Sequence, residues 1–166
     1  MPQIRNGETG DWIGSFHGHK GAVWSCKVDS KTRTLAATAS GDFTAKLWCA
    51  TTGKELYEFK HKHVVKTLDF SSDTVKVATG CQDGLLRIYD ICKTEEPPIE
   101  YKIASSIEQA ITKVKFSQTE ENILFTGKRN SVVEKWDLRV DSSNGPITSV
   151  TVPAGDNVMD LEISPR

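Results

Sequence analysis

Two histidines stand at matched distances from two aspartates: His19 precedes Asp42 by 23 residues and His61 precedes Asp83 by 22. An imidazole beside a carboxylate is the kernel of a proton-transfer pair. Hydrolytic chemistry would also need a nucleophile and a shaped pocket. The sequence carries no G-x-S-x-G, phosphate-binding glycine loop, G-x-G-x-x-G or H-E-x-x-H. The pairs His17-x-His19 and His61-x-His63 would place two imidazoles on one strand face, yet no cysteine or carboxylate completes a tetrahedral metal set at close spacing. Neither catalytic residues nor a metal or cofactor is therefore expected. A structural use fits better. Thr38 and Trp48 follow His19 by 19 and 29 residues, and Thr79 and Tyr89 follow His61 by 18 and 28. An indole N–H only donates, a hydroxyl donates and accepts, and an imidazole links it to a carboxylate. His19, Thr38, Asp42 and Trp48 form one predicted buried network. His61, Thr79, Asp83 and Tyr89 form a second.

The elements that would hold these groups are repeated. Gly41–Trp48 aligns with Gln82–Tyr89 at a shift of 41 residues, and His19–Val23 aligns with His61–Val65 at a shift of 42. A third copy starts at Ile111, passes through Thr126-Gly127 and closes at Trp136-Asp137. There Asn130 stands at the aspartate position, and Ser105-Ser106-Ile107-Glu108 brings no histidine. That copy should keep Thr126 and Trp136 without a full network, and form a looser blade. Thr9–Phe16 mirrors Thr52–Phe59, and Val158–Ser164 repeats the opening of the third copy.

Within a repeat, Ala22–Val28, Thr34–Thr38, Thr44–Trp48 and Glu55–Phe59 are β-branched, aromatic or alternating apolar runs separated by turn residues. A period of 40 to 45 residues with four strands each is the pattern of a β-propeller. The predicted fold is all-β: three complete four-stranded blades plus fragments of two more. The boundaries are 1–17 for the end of a preceding blade, 18–59 and 60–104 for two regular blades, 105–150 for a degenerate blade and 151–166 for the start of another. Thr94–Pro98 and Val140–Pro146 read as surface loops.

Gly18-His19, Asp42 and Trp48, with Tyr89-Asp90 and Trp136-Asp137 as closing dipeptides, resemble the WD-repeat family; Cys49 replaces the closing aspartate in the first repeat. Longer strings narrow the resemblance: Gly10–Gly14, Gly18–Trp24, Asp42–Lys46, His61–Thr67 and Gln82–Asp90. They are similar to the serine-threonine kinase receptor-associated (unr-interacting) proteins, closely from Gly7 to Asp90, less to Asp137 and faintly beyond. The resemblance implies a seven-bladed propeller, of which this is a partial chain. It also implies protein partners: components of the survival-of-motor-neuron complex in small nuclear ribonucleoprotein assembly and pre-mRNA splicing, receptor proteins of transforming-growth-factor-β signalling, and a cold-shock-domain RNA-binding protein. RNA contact would then be indirect.

A rigid propeller recognises partners through its face loops. Gln82 and Arg129, just ahead of the turn acid, and Trp24 and Lys66, on the innermost strands, are the candidate contacts; Trp24 is the one most expected to be core. Direct RNA binding through Lys20, Lys62, Lys66 and Trp24 is the main alternative. Against it stands a net charge of −1 where phosphate binding favours a basic excess. Other WD-repeat roles, as a translation-initiation-factor subunit or a ubiquitin-ligase substrate receptor, fit the narrower strings less well. Cys26, Cys49, Cys81 and Cys92 form no C-x-x-C pair. With no signal-like start and no apolar run of about 20 residues, they point to cytoplasm and nucleus without membrane insertion.

Overall fold

The computed structural model describes residues 1–102, 110–153 and 157–164. Three four-stranded antiparallel sheets follow one another in the chain. The first joins β3 (Val23–Val28), β4 (Leu35–Ser40), β5 (Thr44–Cys49) and β6 (Glu55–Lys60). The second joins β7 (Val65–Phe70), β8 (Lys76–Cys81), β9 (Leu85–Asp90) and β10 (Ile99–Lys102). The third joins β11 (Ile111–Phe116), β12 (Ile123–Lys128), β13 (Val132–Asp137) and β14 (Thr148–Thr151). Ahead of them β1 (Gln3–Arg5) and β2 (Trp12–Ser15) form a two-stranded sheet. A short 3-10 helix at Ile91–Lys93 comes just ahead of the expected loop Thr94–Pro98, and another at Ser142–Asn144 lies within the expected loop Val140–Pro146.

The second sheet is covered on both faces, whereas alternation is visible on β3 of the first and on β13 of the third. β4 and β5 are buried along most of their length, whereas β3 alternates between half-buried and exposed. Ala37, Ala39, Ala45, Leu47 and Phe59 of the first sheet pack on Val65, Leu68, Phe70, Val77 and Tyr89 of the second. Ala78, Leu86, Ile88 and Tyr101 of the second pack on Ile111, Val114, Phe116, Leu124 and Trp136 of the third. β1 and β2 bring Ile4 and Phe16 against Ala36 and Trp48. The seams are the core, which is the packing of adjacent propeller blades.

Inner strands meet across these seams. β7 lies against both β3 and β11, and accordingly is buried almost throughout. Thr67 Oγ1 accepts the Val114 backbone N–H at 3.2 Å, and Asp69 Oδ2 accepts that of Phe116 at 2.9 Å. Close approach needs small residues: a Cβ on Gly80 would lie 2.5 Å from an Ile111 methyl, and one on Gly127 would lie 2.7 Å from a Val158 methyl. Val158 therefore takes the place against the third sheet that Ile111 takes against the second. Residues 157–164, expected to open a further blade, form no strand, because no ladder partner lies beside them among the described residues. They run along β11 instead, with Lys113 held by Asp160 at 2.7 Å and Lys115 by Glu162 at 3.2 Å.

Candidate functional site

The histidines, hydroxyls and aromatics singled out above lie inside the sheets. In the first sheet Trp48 Nε1–H donates to Thr38 Oγ1 at 2.8 Å, so the Thr38 proton must go elsewhere. His19 Nε2, 2.6 Å away, accepts it, which leaves the imidazole proton on Nδ1, 2.8 Å from Asp42 Oδ2. Burial works to raise the Asp42 carboxyl, but the Thr44 hydroxyl, the Lys20 backbone N–H and His19 outweigh it and hold the group below the usual range. All four predicted members are joined.

The second sheet differs. His61 Nε2 faces Thr79 Oγ1 at 3.0 Å and the Tyr89 hydroxyl at 3.3 Å. Its Nδ1 is 3.0 Å from the Phe59 carbonyl, which can only accept, so the proton sits on Nδ1 and Nε2 accepts from the hydroxyls. Burial, then the Arg87 charge, push the ring down to a pKa of about 4. Asp83 corrects the sequence expectation: it makes no bond to His61. It accepts from Arg87 Nη2 at 3.0 Å and from the Leu85 backbone N–H at 3.0 Å. The reason is the guanidinium. Buried to 4% exposure, Arg87 needs carboxylates and takes Asp83 and Glu100, the latter at 2.7 Å, although its Nη1 is left without a partner among the described residues. At the same position in the first sheet Lys46 is met by Glu55 and Glu58, so Asp42 stays free for His19.

The third sheet has a substitute network where a deficient one was expected; residues 105–108 lie outside the described residues. Trp136 Nε1–H donates to Thr126 Oγ1 at 3.1 Å, and Glu134 Oε2 lies 3.5 Å from that oxygen. Lys128 Nζ caps Glu134 Oε1 at 2.5 Å, both side chains being more than nine-tenths buried. A Lys–Glu pair thus stands where the other sheets use imidazole.

With these groups turned inward, the surface at the same end of the sheets belongs to other residues. Trp24, Lys66, Gln82 and Arg129 line one pocket of about 370 Å³, joined by Thr112, Lys113 and Met159. A shared irregularity assembles it. The ladder register shifts between Val23 and Ser25, between Val65 and Thr67, and between Ile111 and Lys113. The residue skipped in each inner strand is Trp24, Lys66 or Thr112. A bulge leaves its extra residue unpaired and re-aims the side chain. Trp24, of the candidate contacts the one most expected to be core, is therefore 55% exposed. Lys66 Nζ sits 3.4 Å from the centroid of its ring, a cation–π contact. Gly41, Gln82 and Arg129 follow the second strands in register. At the first of these only glycine leaves the indole undisturbed, since a Cβ would come within 3.3 Å of Trp24 Nε1. The repeat alignment placed these residues at like positions, but nothing in composition distinguishes a bulge from a regular strand.

A larger hollow of about 860 Å³ runs along the rim between β6 and residues 94–100. Its carboxylates Glu55, Glu58 and Glu100 are already paired with Lys46 and Arg87. All four cysteines are free thiols, and burial raises Cys81 to about 11. Among the described residues no cluster of three or more histidine, cysteine or carboxylate groups is arranged to hold a metal ion. No described helix is long and apolar enough to cross a membrane.

Comparison with known proteins agrees with this geometry. The family described as WD domain, G-beta repeat, matches residues 10–49 and 53–90. Serine-threonine kinase receptor-associated protein of Homo sapiens is 47% identical over 136 residues, which is 82% of this chain and 37% of that protein. The protein of the same name from Dictyostelium discoideum is 38% identical over 163 residues, 98% of this chain and 52% of that protein. Eukaryotic translation initiation factor 3 subunit I of Caenorhabditis briggsae is more distant, 30% identical over 166 residues. The chain thus spans between about a third and a half of the length of these relatives. The crystal structure of the computationally designed Ika8 protein superposes with a TM-score of 0.77 at 21% identity, covering 98% of this chain and 46% of that one, a likeness of fold alone.

Proposed function

We start from the fact that the chain belongs to the WD-repeat family, and we propose that it serves as a non-catalytic scaffold for protein partners. The observation that carries this reading is a division of labour. The repeated histidines His19 and His61, with the threonines and aromatics that follow them, are tied into hydrogen-bond networks inside the sheets, whereas bulges in one strand of each of three successive sheets push Trp24, Lys66 and Thr112 outward onto one face. A side chain held at a bulge on a packed strand is placed precisely enough to recognise a partner.

Likeness to serine-threonine kinase receptor-associated proteins supports the finer proposal. The partners would be survival-of-motor-neuron components in small nuclear ribonucleoprotein assembly, together with transforming-growth-factor-β receptor proteins and a cold-shock-domain RNA-binding protein. The working compartments would be cytoplasm and nucleus. The greater distance of the initiation-factor subunit favours this assignment over that role. Capture on the tagged full-length protein from cell lysate, with and without ribonuclease, tests it. Recovery of survival-of-motor-neuron components that resists the nuclease supports the scaffold. Loss of every partner on nuclease treatment would replace it with direct RNA binding.

A further inference from the structure

The face pocket has a chemistry of its own. At the end of the sheets where it opens, the turn carboxylates are consumed internally: Asp42 by His19, Thr44 and the Lys20 N–H, and Asp83 by Arg87 and Leu85. Asp160 is taken by Lys113. Lys20, Lys62, Lys66 and Arg129 carry no ion pair among the described residues. The net charge of −1 hides this, because the acids that balance these cations are buried in networks or lie at the rim. Of these cations Lys66 and Arg129 line the pocket, which also offers two apolar surfaces, the Trp24 ring and Met159, which is 80% exposed.

We infer that this pocket takes an acidic segment of a protein partner, with one apolar side chain held between Trp24 and Met159 and flanking carboxylates on Lys66 and Arg129. The inference rests on the scaffold reading and gives the partner's recognition element a composition. Size and shape favour a peptide over a nucleic acid. A volume of about 370 Å³ suits one or two side chains. Single-stranded nucleic acid instead needs successive aromatic platforms along a cationic groove. Here one ring is exposed at the pocket, and Lys66 Nζ already covers one of its faces.

A randomised ten-residue peptide library selected on the immobilised chain tests the inference, with a randomised single-stranded RNA pool run alongside. The expected winners are rich in Asp and Glu around a single apolar residue. On a Lys66→Glu/Arg129→Glu variant those winners should bind about tenfold more weakly, and selection should turn toward Lys and Arg. Arg129 is exposed and Lys66 half-buried, so an unchanged melting temperature would show that the variant is folded. A second variant, Gly41→Leu, crowds the Trp24 indole without altering charge and should weaken the same winners. Winners without acidic bias, or a preference indifferent to the charge reversal, would overturn the inference. So would selection of RNA in place of peptide. If peptide recognition fails while lysate partners are still captured by wild type and variant alike, the scaffold stands and this pocket is not its acidic-segment site. Loss of all partners would instead remove the scaffold reading itself.

Discussion

His61 makes the stability of this chain depend on pH in a direction the structure fixes. Burial and the neighbouring Arg87 charge depress its pKa from 6.5 to about 4 in the folded state. Unfolding returns the ring to water and to its ordinary value. Between those two values the unfolded chain binds the extra proton, so stability falls as pH drops through the window and levels off below about 4. At ~1.4 kcal/mol per pH unit the whole window is worth roughly 3 kcal/mol. With a urea slope of ~2 kcal/mol per M, the unfolding midpoint should fall by about 1.5 M between pH 7 and pH 4. Other groups titrate in the same range, so the useful quantity is the difference between wild type and His61→Gln. The amide retains an acceptor for Thr79 and cannot charge. Urea titrations of both proteins at half-unit steps from pH 7.5 to 4 give two slopes. The variant should start less stable at pH 7 and lose less on acidification. Parallel slopes would refute the argument, since they would mean that His61 is already solvated in the folded state or is not held by Phe59 and Thr79.

Three further outcomes follow from the sheets. Thr38→Val leaves Trp48 Nε1–H without its acceptor and His19 Nε2 without its donor in a buried site; it should cost about 2 to 3 kcal/mol in urea unfolding, with Thr38→Ser largely restoring stability. Glu134→Gln leaves the buried Lys128 ammonium without an opposite charge and should destabilise by about 3 kcal/mol or more, whereas Lys135→Gln, on a partly exposed pair, should change stability by under about 1 kcal/mol in the same assay. Gly80→Ala drives a Cβ into Ile111, Thr67 and Val114 and should cost about 1 to 3 kcal/mol, measured as a lowered thermal midpoint.

Much of the architecture was legible because repetition exposes it. The offsets from His to Thr, Asp and aromatic recur, and the strands between them are bounded by turn residues, so four-stranded units could be marked without knowing any contact. Within the first unit the offsets also located a connected network. They misled for Asp83, since the pattern records which residue stands there and not what competes for it. Replacing Lys46 by Arg87, with Glu100 alone opposite where Lys46 has two glutamates, draws the aspartate away. Trp24 stands among the candidate contacts although hydrophobicity alone argues for its burial. What decides its exposure is a one-residue slip in strand pairing that apolar periodicity does not encode.

The three networks show which part of the repeated chemistry is obligatory. Thr38 and Thr126 each accept from an indole, and that hydroxyl's proton must then find an acceptor in a site closed to water. An imidazole serves in the first sheet and a carboxylate in the third, each held by a further charged or polar partner. In the second sheet a phenol replaces the indole and can donate directly to the histidine, so the threonine and the tyrosine share one acceptor. The constraint is that the threonine hydroxyl and the aromatic N–H or O–H each have an acceptor, and three different side-chain sets meet it, although Arg87 Nη1 beside the second set is left without a partner among the described residues. Identity at the histidine and aspartate positions is therefore free to change wherever the balance of donors and acceptors is kept. The end of the sheet above then varies independently, which is how Gly41, Gln82 and Arg129 come to occupy one structural position while giving the face three different chemistries.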